Sequence, residues 1–356
     1  MNNHISLPVM VERLEENRMP YGVLPLQDGM KILVTQRGGR IFGPFLDDES
    51  GGLLWANNAW AQKEPFGSFL ESGHWNLGGD RMWIAPELQY SVTDRKDFFG
   101  SFRLQKQMDP GVYTLERTKE NEWRLAMEIA MEAEVLAKGT KELSIERRIR
   151  PIDDPLRALG NYAELIEGVR YAGYEQIISM REKKTDDILT EVWSLLQINP
   201  GGELLIPAAG CVEQNDYYQP IDDTLETRYE HHISLKITGN RTYKLGFKAA
   251  HVFGRIGYFN DLTDGQAYVL IRNFFNNPSS VYAEELDYKP GCHGHSIHVY
   301  NDNGELGGFG ELECNGQTFG GNTGRSGAVE QLLLWFYVGE REKIKRITYN
   351  LLGVRL

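Results

Sequence analysis

Alternation of apolar and polar residues, rather than helical spacing, runs through most of this chain. MKILVTQRGGRIFGPF reads as a strand, a turn at Gly38-Gly39 and a second strand, and LLWANNAW continues the pattern with a turn at the Asn pair. In EWRLAMEIAMEAEV the Met, Glu and Ala content favours helix, but Trp123, Leu125, Met127, Ile129 and Met131 recur at every second position, and that period predicts a strand. Further β-rich runs are LSIERRIRPI, YEQIISMRE, EVWSLLQI, ELLIPA, YEHHISLKI, AYVLIRNF, SIHVYND, FGELEC and KRITYNLLGV, divided by turn signals such as NPGG, TGNR, DLTDG and NDNG. A regular β–helix–β rhythm is missing, which argues against doubly wound sheets and TIM barrels. The pattern predicts a mainly β protein, a large antiparallel sandwich of two packed sheets with a few short helices. One helix is expected over SLPVMVERLEEN, with Ser6 as cap and Pro8 in the first turn, and another around DDPLRALG. With no fixed-period repeat and no low-complexity linker, residues 1–356 read as one β-sandwich domain with an N-terminal helical segment, 1–20, packed on it.

Charge narrows the partners. Fifty acids against 38 bases give a net charge of −12, so the surface repels phosphate backbones and anionic membranes, and neither nucleic acid nor membrane is an expected partner. The apolar run LLLWFYV at 332–338 is too short to span a bilayer. Glu12, Glu15 and Glu16 fall where a signal peptide needs an apolar core, and Cys211, Cys292 and Cys314 form no CxxC pair, so a cytoplasmic protein is expected, as monomer or homodimer.

Two stretches carry candidate chemistry. HWNLGGDRMWIAPE, from His74 to Glu87, combines two Trp, a Gly-Gly bend and charged side chains. Indole faces of Trp75 and Trp83 beside Asp80, Arg81 and Glu87 suit a ligand with both C–H faces and hydroxyls, which describes a sugar. In GFGELECNGQ, strand alternation places Phe309, Glu311 and Glu313 on one face and Leu312 and Cys314 on the other. On a desolvated face, two such carboxylates raise each other's pKa and make a general acid or base. Upstream, GCHGHSIHVYND sets His293 and His295 on one face, with His298 on the other unless a bulge intervenes. A third metal ligand is not fixed by spacing, so no metal site and no cofactor are expected. Nucleophile-elbow, P-loop and dinucleotide motifs are absent in usable context.

Together GGRIFGPF with LLW, the WNLGGDRMWIAPE block, LSIERRIRPI, EVWSLLQINPGGELLIP, FGELEC and LLLWFY resemble the galactose mutarotase-like superfamily, in particular its bacterial branches with a GGD-x-x-W-x-A-P block. The resemblance covers most of residues 20–350. It implies a β-supersandwich whose concave face binds a sugar or small carbohydrate, and an aldose 1-epimerase-like isomerase activity. In such enzymes a Glu on a late strand takes the C1 hydroxyl proton while a His protonates the ring oxygen; Glu313 resembles that base. The segment GNYAELIEGVRYAGYEQIISM has no counterpart of the acid-bearing His, which leaves His74 or His295 for that role. Arg81, Trp83, Glu87, Trp75, Asp80, Glu311 and His293 are the expected sugar contacts. Two other readings use the same residues: a non-catalytic carbohydrate-binding protein, and a glycoside hydrolase or lyase in which Glu313 pairs with Glu311 or Glu87.

Overall fold

Alternating side chains divide two sheets into inner and outer faces. The computed structural model describes residues 5–356, apart from the side chains at 64 and 65; residues 1–4 of the expected N-terminal segment lie outside it. Strands make up 43% of the chain and helices 17%, so the mainly β architecture read from the pattern is the observed one. One sheet has nine strands, ordered Tyr21–Pro25, Lys31–Thr35, Ile41–Phe45, Asp80–Ala85, Glu191–Ile198, Gly310–Asn315, His295–Asn301, Tyr243–Lys248 and Gln214–Asp216. The other has ten, ordered Glu226–Arg228, His232–Lys236, Glu203–Pro207, Arg255–Asp261, Gln266–Phe274, Gly327–Glu340, Arg170–Glu182, Gly139–Pro151, Glu122–Ala133 and Thr114–Lys119. Among the described residues, every pairing between these strands is antiparallel.

The sheets meet through their inner faces. Ile84, Val192, Leu196, Val299 and Leu312 of the nine-stranded sheet share one core with Ile145, Ile178, Leu204, Leu270 and Phe336 of the ten-stranded sheet. Burying such rows of aliphatic side chains is the main stabilising contribution, roughly 25 cal/mol per Å² of apolar surface. An ion pair crosses this layer. Asp80, fully buried, accepts from Arg272 at 2.8 Å, Tyr174 at 2.9 Å and Gln176 at 2.6 Å.

Helices cover parts of the outer faces. Leu7–Glu16 buries Met10 and Leu14 against Leu33, Phe42 and Trp60 in a separate small core; Ser6 occupies its cap position without a side-chain cap bond. KRITYNLLGV, expected as a last strand, instead belongs to a helix, Arg341–Leu352. Ile344, Ile347, Thr348, Leu351 and Leu352 are its buried residues, and their spacing of three and four is helical, overriding the β-branched content. That helix packs on the outer face of the ten-stranded sheet against Val269, Ile271 and Trp335. LLWANNAW forms isolated bridges and a 3₁₀ turn at Asn58–Ala61 rather than a regular strand.

Candidate functional site

The outer face of the nine-stranded sheet carries what its inner face excludes. In Glu191–Ile198, Trp193 and Leu195 line a cavity on this face, while Val192, Leu196 and Ile198, on the alternate positions, do not and face the other sheet. By the same alternation Gly310–Asn315 presents Glu311 and Glu313, Asp80–Ala85 presents Arg81 and Trp83, and Tyr243–Lys248 presents Lys244. Register aligns them: Glu313 lies opposite both His298 and Leu195, and Leu195 opposite Arg81. A cavity of about 470 Å³ rests on this row. Another cavity, of about 310 Å³, is lined by Trp55, Asn57 and Gly307 among others and has no titratable side chain on its walls. The facing carboxyl, guanidinium and ammonium groups of this row all open onto the cavity of about 470 Å³, which makes it the candidate site.

The strand Asp80–Ala85 is set by the Gly pair before it. Gly78 and Gly79 have φ of 101° and 80°, and a Cβ on either would stand 2.5 Å from a carbonyl oxygen, Trp55 O or Ile41 O. The two glycines let the chain turn tightly between these carbonyls and enter the strand with Asp80 facing the core and Arg81 facing the cavity.

Within the cavity the charges are matched in pairs. Arg81 Nη2 lies 3.0 Å from Glu311 Oε1, which also accepts from Gln197 at 2.9 Å. The Arg81 guanidinium is held against the Trp83 and Trp75 rings, 4.3 and 4.6 Å from their centroids. Lys244 Nζ lies 2.7 Å from Glu87 Oε2 and 4.9 Å from the Trp193 centroid. Three carboxyls are exceptions. Among the described residues Glu313 has no ion-pair partner: its Oε2 accepts from Trp193 Nε1 at 2.9 Å and its Oε1 takes part in no hydrogen bond. Asp302 and Glu305, also on the lining, form no ion pair there either, and Asp302 accepts from the backbone amides of Gly304, Leu306 and Gly308. Burial pushes the Glu313 carboxyl up to about 8; Lys244 opposes the rise, while Glu311 and Glu87 add to it. Burial also raises Glu311, against the pull of Arg81 and Lys244. Burial works against the charge on Lys244, but Glu87 and Glu313 outweigh it and hold the ammonium well above its ordinary pKa. The wall thus holds a carboxyl poised near neutrality beside a buried ammonium.

Of the residues expected at the site, Trp75, Arg81, Trp83, Glu87, Glu311 and Glu313 line this cavity. The others sit elsewhere. Asp80 is the buried partner of Arg272 between the sheets, on the opposite face of its strand from Arg81. His74 is exposed and stacks on Phe69, 4.9 Å between centroids, off the cavity wall. His293 is exposed and contacts the Val281 carbonyl at 3.1 Å. His295 is fully buried and bonded to Asn215 at 2.9 Å; burial, with Lys248 next, lowers its pKa to about 3, so it is neutral and faces no ligand space. The pairing passes over Ser296, so that Phe247 lies opposite Ile297 and Lys248 opposite His295, and the His295 and His298 rings lie 5.8 Å apart, both bonded to the Tyr217 hydroxyl.

The sequence reading passed over Lys244, Trp193 and Tyr218. Trp193 was accessible from the alternation Glu191, Trp193, Leu195, Gln197, and Lys244 from YKLGFK, where Tyr243, Leu245 and Phe247 claim the core.

With this geometry in place, the chain can be set beside known proteins. It belongs to the family of unknown function DUF6786, whose model matches residues 25–356. No curated protein matches it. Among solved structures, a proposed aldose 1-epimerase from Escherichia coli K12 is 9% identical, with 90% of this chain and 99% of that one covered and a TM-score of 0.43. One from Klebsiella pneumoniae is 9% identical, with coverage of 93% and 82% and a TM-score of 0.47. A proposed mutarotase from Salmonella typhimurium is 12% identical, with 91% of each chain covered and a TM-score of 0.43. Likeness at this level carries no argument about chemistry, which has to come from the cavity.

Proposed function

We propose that this protein binds a sugar in the cavity on its nine-stranded sheet and interconverts the anomers, as an aldose 1-epimerase-like isomerase with Glu313 as general base. The observation that carries the reading is the Glu313 carboxyl: unpaired, with Oε1 free, in a cavity walled by Trp75, Trp83 and Trp193. Indole faces take the C–H faces of a pyranose while carboxyl groups take its hydroxyls. In the reaction, the Glu313 carboxylate accepts the proton of the anomeric hydroxyl. The bond from C1 to the ring oxygen then breaks, its electron pair staying on that oxygen, which takes a proton from the Lys244 ammonium. Rotation about C1–C2 and the reverse steps return both protons and give the other anomer. In this reading Lys244 takes the acid role for which His74 or His295 was expected, and its contact with Glu87 favours return of its proton after each transfer. A base whose pKa lies close to the working pH is the most effective kind.

Polarimetry on freshly dissolved aldoses tests the reading. Glu313→Gln keeps the shape and the Trp193 contact but accepts no proton, so anomer exchange falls by about 10²-fold or more while sugar affinity changes little. An active Glu313→Gln variant refutes the assignment. Sugar binding with a wild-type rate no faster than buffer favours the non-catalytic reading.

A further inference from the structure

The cavity does not end at its charged floor. A continuous line of rings leads outward: Phe309 to Tyr300 at 5.9 Å, Tyr300 to Tyr218 at 6.4 Å, and Tyr218 to Phe99 at 5.3 Å between centroids. Phe98 stands beside Phe99 at 5.3 Å. All five line the cavity, yet Phe99 is 70% exposed. An aromatic ring left in water at the mouth of a cavity gains nothing for the fold, whereas scattered apolar residues elsewhere on a surface need no explanation.

The segment that carries it is held in place. Arg95 donates to the Glu285 carboxylate and to the Leu286 and Asp287 carbonyls, Asp97 caps the Gly100 amide at 3.1 Å, and Ser101 Oγ donates to the Asp94 carbonyl at 3.0 Å. A fixed aromatic face loses little entropy on binding. The volume is compatible with this: about 470 Å³ falls within the roughly 300–1,000 Å³ of pockets that enclose drug-sized ligands.

We propose that Phe99, with Phe98 and Tyr218, is a second sugar subsite, and that the ligand is the reducing-end disaccharide of an oligosaccharide rather than a free monosaccharide. This rests on the sugar reading of the cavity. The reducing ring, whose anomeric hydroxyl is the reactive group, lies against Glu313 and Trp193, and the next ring stacks on Phe99 outside the charged floor. Chain length beyond that ring is unrestricted, because Phe99 faces solvent.

The test is calorimetric titration of the intact protein with cellobiose, maltose and lactose, each against its own reducing-end monosaccharide, glucose. At least one disaccharide binds about tenfold or more tightly than glucose, the scale expected when one further aromatic face is covered. In Phe99→Ala the ratio of disaccharide to monosaccharide affinity falls to about one, and in Phe99→Trp it returns. Because the side chain is mostly in solvent, the melting temperature of Phe99→Ala stays at the wild-type value, which separates lost stacking from lost structure. Glucose binding with no disaccharide advantage, or an advantage that survives Phe99→Ala, overturns the subsite and leaves the sugar reading standing. No binding of any of the four sugars overturns both.

Discussion

Replacing Glu311 by Gln tests the electrostatics of the site without requiring turnover. Glu311 and Glu313 are two residues apart on one strand face, so their carboxyl groups are separated by about 7 Å, twice the rise per residue. At that distance and an effective dielectric of about 20, two unit charges repel by about 2 kcal/mol, equivalent to about 1.5–2 pH units. Removing the Glu311 charge should therefore bring Glu313 down from about 8 to about 6–6.5. Arg81, released from its 3.0 Å contact, adds a pull in the same direction, so this fall is a lower bound. Trp193 is the reporter: its indole N–H sits on Glu313, and its fluorescence should follow the ionisation. The wild-type transition lies near 8, Glu311→Gln moves it downward, and Glu313→Gln abolishes it. Where anomer exchange is measurable, the base form is the active one. The rate then rises with pH to a plateau above the Glu313 midpoint, and the plateau begins at lower pH in Glu311→Gln. Because Arg81 is buried, breaking its pair costs stability, about 3–5 kcal/mol, and circular dichroism must confirm folding across the titration. A midpoint that stays put or rises in folded Glu311→Gln refutes the account of why Glu313 is perturbed.

Two further expectations follow. Lys244→Met lowers anomer exchange by about 10²-fold, and Lys244→Cys alkylated to aminoethylcysteine recovers much of it; full activity in Lys244→Met would remove Lys244 from the reaction. Asp80→Asn strands the Arg272 cation between the sheets and costs about 3–5 kcal/mol by urea denaturation with an unchanged m-value, and a loss below about 1 kcal/mol would contradict the account of this buried pair.

What the sequence made legible was local. Period two is a property of neighbouring residues, so the pairing of Glu311 with Glu313 on one face could be read without knowing what that strand packs against, whereas Asp80–Ala85, read as part of a Gly bend, was not seen as a strand. The histidines depended on distant partners. Whether His295 meets a cavity depends on an irregularity in its own strand, where Ser296 is passed over between the pairs Phe247–Ile297 and Lys248–His295, and period-two alternation within GCHGHSIHVYND does not show it. Lys244 was hidden for the opposite reason: a charged residue alternating with Tyr243 and Leu245 has the signature of an ordinary solvent-facing position, and only the three-dimensional approach of Glu87 shows otherwise. The Arg341–Leu352 helix was misread because Ile and Thr favour strands, while its helical face became evident only against Val269 and Trp335.

Gly78 and Gly79 have a consequence that reaches beyond the turn they make. They set the phase of the following strand, and that strand alternates an anion for the core with a cation for the cavity. Slipping it by a single residue would, in one direction, put Arg81 in the inward slot of Asp80, a guanidinium against Arg272 inside the sandwich, and in the other put Asp80 in the cavity slot of Arg81, a carboxylate against Glu311. Either slip sets like charges in contact. One error is penalised in folding and the other at the site, so the same two residues that shape a backbone bend also guard the chemistry against a misthreaded sheet.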